Sequence, residues 1–192
     1  MEYMPVDWID NPIPDAFTVN GFPLIEFDRP VDRYTLRGFA LGWNRQLTIV
    51  HVLETQTYRL DGYAIFRNPD VKRWREIPKE DFVARAARLH RLRPSRPDAL
   101  DIASLQTASA TAGAAFPLIT IHREHIKKRV CRVGRMLRTS RRALTIFSIS
   151  TQAEWEGEES FLLRDITLLE FGGTYERLLA RMAPKLPPVS RE

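Results

Sequence analysis

Cysteine is almost absent from this 192-residue chain, and several familiar sequence signals are missing too. The single cysteine, Cys131, excludes an internal disulfide bond and any zinc site built from several cysteines. No apolar run approaches the roughly 18 residues that a membrane-spanning helix needs. The N-terminal MEYMPVDWIDNPIP contains acids and prolines but no Lys or Arg, unlike a secretory signal. These absences predict a cytoplasmic bacterial protein that does not contact a membrane.

Catalytic and cofactor motifs are also missing. The chain has no GxGxxG, no P-loop and no GxSxG sequence, so the nucleotide-binding and serine-hydrolase classes have no support. We therefore predict no catalytic, cofactor-binding or metal-binding residue, and a non-enzymatic role.

Lysine is scarce although the chain is basic, with a net charge of +5. Only five of the 29 basic residues are lysines, and the other 24 are arginines. The planar guanidinium group of arginine suits phosphate and carboxylate partners. A GC-rich genome would also favour arginine codons, which weakens basicity as a sign of nucleic-acid binding.

The sequence FPLI occurs twice, at residues 22–25 and 116–119, an offset of 94 positions. Further landmarks follow in the same order. Gly38 matches Gly134 at an offset of 96, Leu47-Thr48-Ile49 matches 144–146 at 97, and Asp70-Val71 matches 165–166 at 95. The ordered set predicts an internal duplication.

Each copy predicts five short strands followed by a helix, because apolar and polar residues alternate and β-branched residues are frequent. The strands of the second copy begin at FPLI and include 129–138 and the segments 143–151, 154–164 and 165–172. In the closing helices, apolar residues at helical spacing are expected to face the core. These residues are Phe82, Ala86, Leu89 and Leu92 in the first copy, and Tyr175, Leu178, Leu179 and Met182 in the second.

The fold expected is mainly β with flanking helices (α+β). It would contain two tandem five-stranded small barrels, since a glycine inside a strand marks the bend of a coiled sheet and closure hides sheet edges. The chain divides into an irregular leader (1–20), a first barrel with its helix (21–93), a linker and helix (94–115), a second barrel with its helix (116–183), and a tail (184–192). Asp98 is the expected N-cap of a linker helix over 98–111 that ends near Gly113.

The segments FPLITIHRE, CRVGRML and DITLLEFGGTYERLLARM resemble the Sm-like and SH3-like small barrels. The second copy is the better match, and residues 22–183 resemble an uncharacterised bacterial family that pairs two such barrels. The resemblance implies a fold and no catalytic residues. Sm-like barrels commonly form rings and bind RNA, whereas SH3-like barrels more often bind peptides, so both functions remain open.

The densest basic stretch is KKRVCRVGRMLRTSRR, which contains no acid. Phosphate backbones attract such clusters, so we expect RNA or another polyanion to bind here by phosphate contacts. The predicted nucleic-acid-binding residues are Lys127, Lys128, Arg129, Arg132, Arg135, Arg138, Arg141 and Arg142. The alternative is that these arginines pair with Glu154, Glu156, Glu158 and Glu159 on the following strand. A second basic set, Arg85 to Arg96, is read as an exposed helix face.

The alternatives to RNA binding are a protein-interaction or self-association module and, more weakly, a metal-dependent hydrolase. The hydrolase would use His122, Glu124 and His125, but in a strand residues 122 and 125 point to opposite faces.

Five aromatic residues are candidates for base stacking, although aromatic residues on strands are usually packed. They are Tyr58, Tyr63, Phe66, Trp74 and Trp155. Cys131 lies beside Arg129 and Arg132, which would lower its pKa; a buried, inert thiol is favoured.

Overall fold

The structure, a computed structural model, describes residues 16–29 and 35–187, and it is mainly antiparallel β-sheet with three α-helices. The first half contributes β1 Thr18–Val19, β2 Phe22–Asp28, β3 Leu36–Trp43, β4 Leu47–Leu53, β5 Leu60–Arg67, β6 Arg73–Glu76 and α1 Phe82–Leu89. The second contributes α2 Leu105–Ala115, β7 Ile119–His122, β8 Cys131–Thr139, β9 Ala143–Ile149, β10 Trp155–Leu162, β11 Leu168–Phe171 and α3 Thr174–Met182. Short 3₁₀ turns cover Asn68–Asp70 and Leu163–Asp165.

All eleven strands of the described residues belong to one sheet, in the order β1-β2-β3-β4-β5-β11-β7-β8-β9-β10, with β6 pairing the outer edge of β2. Strands β1 to β5 pair with their neighbours in sequence, as do strands β7 to β10. The last strand of each half, four residues long, instead pairs with an early one: β6 pairs β2, and β11 pairs β7. The two halves join where β5 pairs β11 in antiparallel register, with Phe66 opposite Leu168. We call this pairing the seam.

The expectation of two closed barrels is not met, because the sheet is open. A strand has only two hydrogen-bonding edges. Strand β5 uses its edges for β4 and β11, so it has none left for β6. Strand β11 likewise uses its edges for β5 and β7, which leaves none for β10. The seam therefore takes the edges that closure of either half would require.

The largest apolar core is shared between the halves. Phe39, Ile49 and Ile65 of the first half belong to the same buried cluster as Ile146 and Phe171 of the second. The opposite face of the first half carries a smaller cluster that includes Val50 and Phe66. Because neighbouring residues of β4 point to opposite faces, both faces of this strand are buried, which explains its nearly continuous apolar sequence.

The predicted strand over 129–138 is confirmed as β8, but the linker helix is displaced from its predicted position. Its N-cap is Ser104, whose Oγ accepts a hydrogen bond from the Thr107 amide at 3.1 Å, rather than Asp98. Gly113 lies within the helix instead of ending it. A Cβ at Gly113 would lie 2.4 Å from the Cβ of Met136, so glycine lets α2 approach β8 closely.

The predicted inward faces of α1 and α3 are largely wrong. Phe82 is 60% and Leu89 81% exposed, whereas Leu92, just beyond α1, packs against the core as predicted. Helix α1 itself buries Val83, Ala84 and Ala87. In α3 only Leu179 of the predicted set is buried. The exposed remainder is Tyr175, Leu178 and Met182. In α1, the small side chains allow the helix to lie close to the sheet, and its longer apolar side chains remain at the solvent side.

The predicted irregular leader is partly wrong. Phe17 is buried, its amide donates to the Ile77 carbonyl at 3.0 Å, and β1 pairs with β2. Residues 1–15 of the leader and 188–192 of the tail lie outside the described residues. Among the described helices, none has the length and apolar character needed to span a membrane.

Candidate nucleic-acid interface

Two of the eight predicted basic residues form ion pairs with glutamates of β10. Arg138 Nη1 lies 2.9 Å from Glu158 Oε2, and Arg132 Nε lies 3.3 Å from Glu159 Oε2. Strand β9 lies between β8 and β10, so both arginines reach across it. The alternative of charge pairing with the following acidic strand therefore holds for these two arginines.

The other six basic residues form no ion pair within 4 Å in the part of the chain that the structure describes, and all six are exposed. We call them the free cations: Lys127, Lys128, Arg129, Arg135, Arg141 and Arg142. Their charges are not neutralised by nearby carboxylates of the described chain. A polyanion approaching this side of the protein would meet them directly.

The free cations lie along the length of β8. Lys127, Lys128 and Arg129 occupy the loop before β8, Arg135 lies near the middle of the strand, and residues 141–142 form the turn into β9. A nine-residue strand is about 30 Å long at roughly 3.3 Å per residue. The free cations thus form an extended row, a shape suited to a linear polyanion.

The second basic set makes local contacts. Arg88 donates to the carbonyl of Lys79 and lies over the Phe17 ring at 5.5 Å. Arg96 Nη2 donates to the Leu100 carbonyl at 3.0 Å, and Arg85 lies over the exposed Phe82 ring. The sequence predicts that this set forms an exposed helix face leading into a linker. All five arginines (Arg85, Arg88, Arg91, Arg93 and Arg96) are exposed, but only Arg85 and Arg88 lie on α1, because the helix ends at Leu89.

The residues of the HREH segment do not converge on one point. His122 Nε2 lies 2.6 Å from Glu170 Oε2, whereas His125 Nε2 lies 2.9 Å from Asp70 Oδ1. Glu124 is buried between Arg29 and Thr167. No cluster of three metal-binding side chains occurs among the described residues. The geometry gives the hydrolase alternative no support.

The aromatic candidates for base stacking are engaged in packing. Tyr63 stacks on His51 and Phe171 at centroid distances of 4.4 and 5.7 Å, and Phe66 packs edge-on against Phe27 at 4.9 Å. Tyr58 and Trp155 similarly contact Phe82 and Phe147. Trp74 is half-buried against the smaller core cluster. We therefore assign them no role in nucleic-acid binding.

Cys131 is exposed, contrary to the favoured expectation of a buried thiol. Partial desolvation of its sulfur raises the pKa of the thiol, and the negative charge of Glu170 raises it further. Arg132 acts in the opposite direction but has a smaller effect on this pKa. The thiol is therefore mainly protonated at neutral pH, so this environment does not activate it as a nucleophile.

A cleft at the seam was missed by the sequence reasoning. It measures about 320 Å³ and is lined by Gln46, Leu47, Arg67, Pro69, Leu105, Leu163 and Arg164. Arg67 and Arg164 are separated by 97 positions, close to the spacing of the repeated landmarks, and this was the available signal. Neither arginine lies in a dense basic stretch, so charge density along the chain did not indicate them.

Comparisons with known proteins identify no relative. No family model, curated protein or solved structure matches the chain. The fold and the arrangement of charges define an open antiparallel β-sheet protein with three helices and an extended row of exposed basic residues.

Proposed function

We propose that this protein binds nucleic acid, with single-stranded RNA as the preferred partner, through the free cations along β8. The observation that carries the proposal is that six of the eight predicted basic residues are exposed and have no carboxylate within 4 Å in the described chain. Binding would consist of phosphate contacts with little reading of base identity, since the five aromatic candidates for stacking are engaged in packing. RNA would be met in the cytoplasm, the compartment that the sequence predicts.

The architectural part of the proposal is an internal duplication of two units related to the Sm-like and SH3-like small barrels, opened where they join. The support is that both halves use the same pairing scheme, in which the last strand pairs with an early one. The turns also correspond: the Asn68 amide donates to the Gln46 carbonyl at 2.8 Å, and the Leu163 amide to the Arg142 carbonyl at 2.9 Å.

The RNA proposal is tested by fluorescence anisotropy with a labelled single-stranded RNA over a range of salt concentrations. Removal of one cation that binds a phosphate should reduce the slope of log K against log salt concentration by about 0.7. We expect the variant R135Q/R141Q/R142Q to bind more weakly with a shallower slope. The matched control is R138Q/E158Q, which removes an ion pair without changing the net charge and should keep the wild-type slope.

Two results would refute the proposal. One is a wild-type protein that fails to bind RNA even at low salt. The other is a triple variant whose affinity and salt slope equal those of the wild type, because the free cations would then make no phosphate contacts.

A second candidate function is protein interaction or self-association. The observation that favours it is that each of two helices exposes large apolar side chains, namely Phe82 and Leu89 on α1, and Tyr175, Leu178 and Met182 on α3. Contiguous exposed apolar patches often mark interaction sites. Light scattering coupled to size-exclusion chromatography tests self-association. If the protein is a monomer over a wide concentration range, self-association is excluded, and binding of a different protein is the remaining form of this alternative.

A further inference from the structure

The seam cleft lies where the two halves of the sheet meet. Strand β5 ends at Arg67 on one side, and the 3₁₀ turn Leu163–Asp165 provides Leu163 and Arg164 on the other. Leu105, the first residue of α2, completes the wall. Since both halves contribute, the cleft exists only when β5 and β11 are paired.

The charged side chains lining the cleft are both positive. Arg67 Nη1 donates to the backbone carbonyl of Arg164 at 2.7 Å, which places the Arg67 guanidinium against the 3₁₀ turn that carries Arg164. No carboxylate is among the lining residues of this cleft. The Arg164 side chain is 82% exposed, and its Nε forms a long, solvent-exposed ion pair with Asp165 Oδ1 at 3.7 Å. Exposed pairs of this kind are weak, so Arg164 remains able to contact an anion. A lining with two arginines and no carboxylate favours an anion, and the planar geometry of guanidinium suits phosphate.

The rest of the wall is mostly apolar. Leu47, Leu163, Leu105 and Pro69 face the same space as the arginines. A site with an apolar wall and two cations can take a ligand with one apolar and one anionic part. The volume of about 320 Å³ is at the lower end of the range for small-molecule sites, which suits a single nucleotide unit.

One wall of the cleft contacts the turn at the end of the row of free cations. The Leu163 amide donates to the carbonyl of Arg142 at 2.9 Å, and Leu162 pairs with Ala143 in the sheet. The turn that carries Arg141 and Arg142 is therefore in direct contact with the cleft wall. A strand of nucleic acid lying along β8 would reach the cleft at this end.

We infer that the seam cleft is a nucleotide subsite of the nucleic-acid surface, an inference that rests on the proposed function. One phosphate contacts Arg67 and Arg164, and the attached ribose or base packs against Leu105 and Leu163. Shape and charge select a nucleotide unit without distinguishing bases, because the apolar wall offers few groups that read base edges. The subsite determines where the bound nucleic acid passes from the second half of the protein to the first half.

The test uses the full chain with ¹³C-labelled leucine methyl groups and titrates 5′-AMP or inorganic phosphate. We expect saturable shifts of the Leu105 and Leu163 methyl signals with AMP, and weaker binding of phosphate, which lacks the apolar part. The variant R164Q should weaken AMP binding by about tenfold or more, the usual effect of losing a hydrogen bond between charged groups. Because the Arg164 side chain is exposed, R164Q should not destabilise the folded protein. The control R181Q changes an exposed arginine on α3 and should leave binding unchanged.

The outcomes separate this inference from the proposed function. If AMP causes no shift at Leu105 and Leu163, or if R164Q binds AMP like the wild type, the subsite is refuted even when RNA still binds along β8. If AMP binds in the cleft but RNA affinity does not depend on the free cations, the RNA proposal fails and the nucleotide site stands. Equal shifts with phosphate and AMP would overturn the apolar part of the inference.

Discussion

Arg29 and Glu124 form a buried ion pair between the two halves of the molecule, with only 1% and 7% of their side chains exposed. Arg29 follows β2 and Glu124 follows β7, and the guanidinium also lies 5.9 Å from the centre of the Phe66 ring. Thr167 Oγ1 donates to the same carboxylate at 2.6 Å. The two charges are far from water, so each depends on the other for compensation.

Removal of either charge alone should destabilise the protein strongly. We expect E124Q and R29M each to lower the free energy of unfolding by about 3–5 kcal/mol, because one buried charge loses its partner. The double variant R29M/E124Q should lose less than the sum of the single variants. Urea denaturation measures these values. The control D28N breaks the exposed pair of Asp28 with Arg73 and should cost about 1 kcal/mol or less. Additive single effects would show that the pair is not coupled.

Two glycines of β3 should respond differently to the same substitution. A Cβ at Gly38 would lie 2.5 Å from the backbone carbonyl oxygen of His51, which cannot move without disturbing β4. A Cβ at Gly42 would approach only the end of the Arg96 side chain at 2.9 Å, and that side chain can rotate away. We expect G38A to destabilise the protein by about 1–3 kcal/mol and G42A by clearly less. Equal thermal unfolding midpoints would contradict the close approach of β3 and β4.

Much of the local structure was predictable because it depends on nearby residues. Alternating apolar and polar residues indicated β8, which the structure contains over Cys131–Thr139. The seam was not predictable in this way, because pairing of β5 with β11 depends on which backbone edges remain available after folding. The sequence pattern of a strand does not specify that choice, and the expectation of closed barrels failed there.

The site was predictable to the same extent. The basic stretch was visible in the sequence, but the distinction between its paired and free members depends on register across β9. Arg138 is opposite Thr145 of β9, and Glu158 is opposite Phe147, two residues further along the same strand. The long arginine side chain therefore reaches Glu158 diagonally across β9. Arg67 and Arg164 are far apart in the chain, and only the seam brings them together.

Neighbouring leucines of α3 provide a test of the helix orientation. Leu179 is buried, so L179A should cost about 2–5 kcal/mol of unfolding free energy, because apolar burial decreases and a cavity remains. Leu178 is 53% exposed, so L178S should change stability by about 0.5 kcal/mol or less. Chemical denaturation of the two variants makes the comparison. A large decrease in the stability of L178S would mean that the Leu178 side chain is covered in the wild-type protein. If the size of that decrease depends on protein concentration, the protein self-associates through this face of α3.

His51 should remain neutral well below the usual range for histidine. Its ring stacks on Tyr63, the Ser95 amide donates to its Nδ1 at 3.3 Å, and burial lowers its pKa from 6.5 to about 4. The unfolded chain takes up the proton near pH 6.5, whereas the folded chain does so only near pH 4. The stabilisation is therefore complete above pH 6.5 and is lost as the pH falls towards 4.

We expect this titration to account for at most about 3 kcal/mol of the acid destabilisation between those pH values. The ¹H and ¹⁵N shifts of the His51 ring measure the pKa directly. In H51F, the unfolding free energy should decline less steeply over this pH range. A His51 midpoint close to 6.5 would show that the ring is more hydrated than its packing against Tyr63 implies.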